Sequence, residues 1–227
     1  TAAVIVEPIQ GEQGVRVADA GWLESLRGRC DEVGALLVFD EIQCGMGRTG
    51  RLWAYEHSGV EPDMMTVAKA LAAGLPMSAI LMTDEVATSI RPGCHATTFG
   101  GGPLVASVAH SVLRQVSDPA FLEFVSRKGQ RLNRLLCRLR SPLVLEVRGV
   151  GLMCGLRLSI PLQRVVALSR ELGLLVVPAG DNVIRFLPPL TVSTDELEQA
   201  VKIMDRVISK YFVKFEPLCR PVGLLTE

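Results

Sequence analysis

Three things are missing from this sequence. There is no charge imbalance: Lys+Arg and Asp+Glu both number 24 in 227 residues, so no global field draws the chain to nucleic acid or an anionic membrane. No apolar run approaches the roughly 18 residues that a membrane-spanning helix needs; the positive mean hydropathy comes from many short runs instead. Metal-ligand spacing is absent as well. The six cysteines, Cys30, Cys44, Cys94, Cys137, Cys154 and Cys219, are scattered without a CxxC, and histidine occurs three times. A zinc site is not expected; free thiols in a reducing cytoplasm are. Internal repeats, low-complexity tracts and a visible signal peptide are lacking too. The chain opens at Thr1 directly into an apolar segment rather than at Met, so further residues are expected upstream.

The apolar content, 48% of 227 residues, suffices for one large domain or two modest ones. Ala2–Val6, Ala35–Phe39, Met64–Ala68 and Ser78–Met82 read as short buried strands. Between the first two, Trp22, Leu23, Leu26, Cys30 and Val33 fall at helical spacing, and Gly34 ends that helix. Strand–helix–strand alternation with near-continuous apolar strands predicts an α/β layer with a mostly parallel sheet. Pro103–Val116 and Pro119–Leu139 read as helices. After Ser141-Pro142 the pattern changes to a smaller α+β unit. It has strands at Val144–Val147, Leu152–Leu158, Leu174–Val177 and Val183–Phe186, and helices at Leu162–Leu172 and Asp195–Tyr211, the last capped by Ser193 or Thr194. The expected division is residues 1–116 for the larger domain and 117–227 for the smaller, with no strong pattern in Val213–Glu227.

Five places carry chemistry, most of them at strand ends, where open α/β sheets bind ligands. Glu7-Pro-Ile-Gln-Gly-Glu12 follows the first strand. Asp40-Glu41-Ile42-Gln43 follows the second, and Lys69 the third. A lysine among apolar neighbours has a lowered pKa and attacks carbonyls; an ordinary surface lysine fits the same text. Asp40, partly buried, wants a cationic or hydrogen-bonded partner, which a pyridinium nitrogen, a backbone N–H or an arginine would supply. Gln43 is able to donate to a phenolic oxygen or to lie on the surface. Thr97-Thr98-Phe-Gly-Gly-Gly102 opens a helix and offers hydroxyls, N–H groups and a helix dipole to a phosphate, or forms a tight turn. Arg185, inside an apolar stretch, must pair with a carboxylate, either a ligand's or a structural one.

Taken jointly, these motifs resemble the class III aminotransferases of the type I pyridoxal-phosphate fold. The similarity runs through Val6–Glu12, Leu37–Leu52, Ala54–His57, Pro62-Asp63 and Ala68–Pro76, in order, and covers nearly all of residues 1–211. Within that family, Val177–Leu190 and Arg148–Met153 are most similar to acetylornithine aminotransferases. Ornithine, succinylornithine and 4-aminobutyrate aminotransferases share much of the text.

The resemblance implies pyridoxal 5'-phosphate as cofactor and a homodimer. It implies amino transfer from N-acetylornithine, or a related ω-amine, to 2-oxoglutarate in arginine biosynthesis. Lys69 would carry the Schiff base and shuttle the proton, and Asp40 would keep the ring nitrogen protonated. Glu41, Ile42 and Gln43 would line the cofactor, with Gln43 near the ring hydroxyl. Thr98 would bind the phosphate of the neighbouring subunit's cofactor and Thr97 would lie close to substrate. Arg185 would hold the α-carboxylate of glutamate or 2-oxoglutarate, Glu12 would pair with Arg185 when the other substrate is bound, and Glu7 would support the site near Asp40.

Three positions depart from the family. Gly102 stands where an asparagine is usual, and Ala96 and Gln13 where glycines are usual; an added side chain narrows or stiffens those loops. The family also has an upstream half that supplies a phosphate loop, an aromatic stacked on the ring and a further arginine. Without it, a truncated chain that folds or dimerises but does not catalyse is the alternative.

Overall fold

The computed structural model describes residues 1–214. Two four-stranded sheets organise it. The first begins with β1 (Ala3–Val6), which leads into a small hairpin, β2 (Ile9–Gln10) and β3 (Arg16–Val17), and then into α1 (Ala20–Val33). Asp19 caps α1 by accepting the Trp22 N–H, and Gly34 ends it at φ 67°, a conformation that suits a residue without Cβ. Next come β4 (Leu36–Asp40), β5 (Met64–Val67), β6 (Ala79–Met82) and a short α2 (Asp84–Thr88). The sheet order is β1-β4-β5-β6. β1, β4 and β5 are parallel, and β6 closes the edge antiparallel to β5.

α3 (Pro103–Val116) packs on a single 3-10 turn at Lys69–Ala72, and α4 (Pro119–Leu136) follows. Both helices carry proline at their first turn, where its missing N–H costs nothing. The second sheet is antiparallel, with order β7-β8-β10-β9, from β7 (Val144–Val150), β8 (Met153–Leu158), β9 (Val177–Ala179) and β10 (Val183–Phe186). α5 (Leu162–Glu171) and α6 (Thr194–Lys214) cover it together with α4. Ser193 and Glu196 cap α6 reciprocally: Ser193 Oγ accepts the Glu196 N–H and the Glu196 carboxylate accepts the Ser193 N–H.

Elements and expectations differ in a few places. The strand expected at Leu174–Val177 starts at Val177 instead, because Leu174 N–H turns back to Ser169 O at 2.8 Å and closes the end of α5. β9 is an edge strand, which is why it tolerates Pro178. α6 continues through Lys214, into the segment expected to be patternless; residues 215–227 of that segment lie outside the described residues. The hairpin β2–β3 and α2 are too short to show a period in the sequence.

The apolar side chains gather around each sheet. One large cluster runs from Val125 to Tyr211 and encloses Leu132, Leu156, Ile184 and Met204. Smaller clusters lie around Leu37 and Phe39, and around Met65, Ala72 and Ala109. Where the two halves meet, three backbones stack with no room for side chains. A Cβ on Gly129 of α4 would fall 2.3 Å from the Gly151 backbone, and one on Gly151 would fall 2.4 Å from that of Thr49. Gly151 also sits at φ 57°. Gly151→Ala is therefore expected to cost about 3 kcal/mol, a Tm loss of roughly 6–12 °C for a domain of this size, measured by calorimetry. A loss under 2 °C would show that this joint gives way freely.

Candidate active site

Parallel pairing of β4 with β5 places Asp40 opposite Thr66, so both strands finish at the same edge of the sheet. Asp40 Oδ1 accepts the Ile42 N–H at 2.9 Å and the Thr66 hydroxyl at 3.1 Å. Oδ2 has no hydrogen-bond partner among the described residues. Lys69 follows two residues after β5 and opens the 3-10 turn at φ 38°, an unusual conformation for a residue with a side chain. It makes no ion pair or hydrogen bond with the described residues. Its turn is fixed from behind, where Leu71 and Ala72 are buried beside Ala109.

Lys69, Ala68 and Ala70 form one wall of a cavity of about 330 Å³. Glu12, Ile42, Gln43 and Arg48 line it from the loops after the parallel strands. Arg185, Leu187 and Leu190 line it from the second sheet and the segment beyond, and Gly45 and Met46 complete it. The cavity is thus shared between the two halves. Arg185 is 5% exposed and forms a forked pair with Glu12, at 2.7 Å and 3.1 Å. This hydrogen-bonded pairing holds the Glu12 carboxyl below its ordinary pKa, with Gln43 contributing next. The pair therefore persists above the unfolded carboxylate range and is lost as pH falls through the depressed value. Gln43 is inserted between them: its Nε2 donates to Glu12 Oε1 at 2.8 Å, and its Oε1 accepts from Arg185 at 3.3 Å.

Glu7 accepts the Gly11 N–H at 3.4 Å. Burial raises its pKa; the Gly11 bond opposes this, the Asp40 carboxylate adds to it and Lys69 counters it. Glu7, Asp40, Lys69 and Glu12 thus share one electrostatic neighbourhood.

Three expected site residues, Glu41, Thr97 and Thr98, take other positions. Glu41 is 1% exposed and turned away into the following turn, where it accepts the N–H groups of Ala54 and Tyr55, each at 2.8 Å, and the Cys44 thiol. It shapes the 41–57 segment and does not line the cavity; burial dominates its pKa and raises it. Thr97 and Thr98 lie on an exposed loop outside the cavity lining, with Thr97 Oγ1 accepting the Gly100 N–H at 3.1 Å. Gly102 and Ala96 are on this same loop, and Gln13 lies beside Gly180.

Sequence reasoning missed Arg48. It donates to Leu152 O at 3.2 Å and Pro188 O at 2.6 Å, joining the loop after β4 to the second sheet. Burial pulls its pKa down to about 10, so it remains charged at neutral pH. The segment Gly45-Met-Gly-Arg-Thr-Gly50 gave a signal, since so many glycines mark close approach of backbones.

The residues present suit the ring end of pyridoxal phosphate. There is an unpaired amine, a half-free carboxylate on the neighbouring strand end and an amide at the cavity wall. Among the described residues no His, Cys, Asp and Glu cluster is placed to hold a metal ion.

The chain matches the family described as Aminotransferase class-III over residues 1–208. It is 48% identical over 208 residues to the acetylornithine aminotransferase of Rhodobacter capsulatus, covering 90% of this chain and 53% of that protein. To the acetylornithine aminotransferase of Bacillus subtilis it is 44% identical over 211 residues, 92% of this chain and 55% of the relative. Among solved structures, the ornithine aminotransferase of Toxoplasma gondii ME49 superposes with a TM-score of 0.87 at 34% identity, covering 94% of this chain and 52% of that one. The N-acetylornithine aminotransferase of Stenotrophomonas maltophilia K279a gives 0.84 at 39% identity, over 94% and 57%. The chain spans about half the length of the curated relatives it matches.

Because Glu41 satisfies one buried and one part-buried N–H group, Glu41→Gln leaves one of them facing an amide NH2. The expected cost is about 1–3 kcal/mol, read as a lower urea midpoint; an unchanged midpoint would show the turn is held by other contacts.

Proposed function

The chain belongs to the class III aminotransferases, and on that premise we propose that it supplies the lysine side of a pyridoxal-phosphate site. There it would move an amino group from N-acetylornithine, or a related ω-amine, to 2-oxoglutarate. The observation that carries this reading is the unpaired Lys69, in the wall of a cavity that Arg185 closes from the second sheet, just past the strand end whose neighbour carries Asp40. Bound pyridoxal phosphate would supply an electron sink for the pair left when a proton leaves the carbon bearing the amine.

The protein's own groups do the rest. Lys69 Nζ would take that proton and return it to the cofactor carbon on the far side of the transferred nitrogen, as a positioned general base and then acid. Asp40, whose Oδ1 is satisfied by Ile42 and Thr66, would offer its Oδ2 to a protonated ring nitrogen. Gln43, now bonded to Glu12 and Arg185, would be the amide to hold the ring hydroxyl. Arg185 grips an α-carboxylate through two parallel N–H bonds, in the manner it now uses on Glu12. With a substrate that brings no carboxylate to this point, Glu12 stays and keeps the buried guanidinium neutralised. Glu7, close to Asp40 and Lys69, supports that charge arrangement.

Thr98 is read as a phosphate ligand for a neighbouring copy. Its loop is exposed, and beside it Phe99 is 89% and Leu104 74% exposed, apolar surface that a homodimer would cover. The division into residues 1–116 and 117–227 is supported by the largest apolar cluster, whose described members all lie after residue 116. Five free cysteines among the described residues suit a reducing cytoplasm. No described helix is long and apolar enough to cross a membrane.

The test is reconstitution of the purified protein with pyridoxal phosphate. A protein-bound near-ultraviolet or visible absorption band is expected, absent in Lys69→Ala. Turnover of N-acetylornithine with 2-oxoglutarate should fall by about 10²–10⁴-fold or more in that variant. Steady-state comparison with ornithine, succinylornithine and 4-aminobutyrate identifies the amine. A wild type that stays colourless would instead support a chain that folds without catalysing.

A further inference from the structure

The Glu12–Arg185 pair stands on a second layer of charge. Residues Gly11–Val15 carry Glu12 past the end of the second sheet, and their backbone is gripped at several points. Gly180 N–H donates to Glu12 O at 2.8 Å. Arg148 donates to Gly14 O at 3.2 Å, and Arg16 Nε to Gln13 O at 3.2 Å. Val15, fully buried at φ 53°, packs against Gly155, the rung of the ladder opposite Arg185.

Both gripping arginines end on one carboxylate. Asp181, in the β9–β10 turn, accepts from Arg148 at 2.7 Å and Arg16 at 3.2 Å, and also pairs with Arg157 at 3.2 Å. Glu146 provides a second carboxylate, to Arg148 at 2.6 Å. Arg16 is half-exposed and its pair contributes little, whereas Arg148 is only 14% exposed and carries most of the connection. The Glu12 side chain, by contrast, is 63% exposed. A mobile carboxylate therefore sits on a fixed backbone.

We propose that Asp181, acting through Arg148 and Arg16, is a positioning residue that fixes the Glu12 backbone, and thereby sets how strongly Glu12 competes with a substrate carboxylate for Arg185. The proposal rests on reading Arg185 as the carboxylate site. Without the Asp181 charge, three guanidinium groups face one another with Glu146 as their remaining counter-charge. They spread apart, Gln13 O and Gly14 O lose their donors, and the Glu12 loop drifts from Arg185.

Glutarate, a dicarboxylate with no carbonyl or amine, reports on this without turnover. Calorimetric titration into the cofactor-loaded protein is expected to show the weakest binding for wild type. Asp181→Asn and Glu12→Gln should each bind about three- to tenfold more tightly, and the double variant no more tightly than Glu12→Gln, the non-additivity of residues acting through one contact. Unchanged affinity in Asp181→Asn, or gains that add in the double variant, overturns the proposal; a purely structural role for Asp181 lowers Tm without producing this pattern. If Asp181→Asn does not fold, Arg148→Lys carries the same expectation, because lysine lacks the fork that reaches Gly14 O and Asp181 together. No glutarate binding in any variant overturns the carboxylate reading of Arg185 and this proposal with it. The expected pattern in a protein that transfers no amine refutes the aminotransferase reading alone.

Discussion

A guanidinium buried to 5% exposure cannot be left without a carboxylate, and in this chain the partner comes from 173 residues away. Breaking such a pair from one side leaves an uncompensated buried charge, which is worth several kcal/mol. The forked contact between Arg185 and Glu12 therefore ties the antiparallel sheet to the loop after β1, and the cavity lies beside it. Arg48 strengthens the joint by donating to Leu152 O, just before β8, and to Pro188 O, just past the strand that holds Arg185. The stacked glycines Gly129 and Gly151 let α4 and the β7–β8 turn approach the loop that carries Arg48.

The other wall of the cavity is set by sheet geometry. Parallel strands present their carboxy ends to one edge, and register fixes what stands there. Asp40 is opposite Thr66, so one of its oxygens is satisfied locally and the other remains open. Lys69 leaves β5 through a turn whose left-handed start is held by the packing of Leu71 and Ala72. Backbone strain of that kind, on the order of 1–3 kcal/mol, persists where surrounding structure over-determines it. Glu41, adjacent to Asp40 in sequence, is buried away from the cavity and ties down the segment that follows it through Ala54 and Tyr55, 13 and 14 residues on. Two neighbouring carboxylates thus do unlike work because successive residues at a strand end face in different directions.

Much of this could be read from residue order. Apolar runs bounded by turn residues located β1, β4, β5 and β10, and caps such as Gly34 and Ser193 located helix ends, because these signals act within a few residues of themselves. Lys69, Asp40, Glu12, Gln43 and Arg185 stood out for chemical type and place, and the structure brings Lys69, Glu12, Gln43 and Arg185 to one cavity. Glu41 lies away from the cavity, which residue order does not reveal, because sequence shows that a carboxylate is present, not which way it points. Leu174–Val176 were misread because an apolar run after a helix packs equally well as a strand or as a return to the core.

By itself, then, the sequence determined the longer elements, the charged residues and the resemblance to a family, since each of these depends on local patterns. Only the tertiary structure decided that Gln43 lies between Glu12 and Arg185, that Arg48 joins the two sheets, and that Asp181 gathers Arg16, Arg148 and Arg157. Those are contacts across as many as 165 residues. They follow from strand register and close backbone packing, which no short-range pattern encodes.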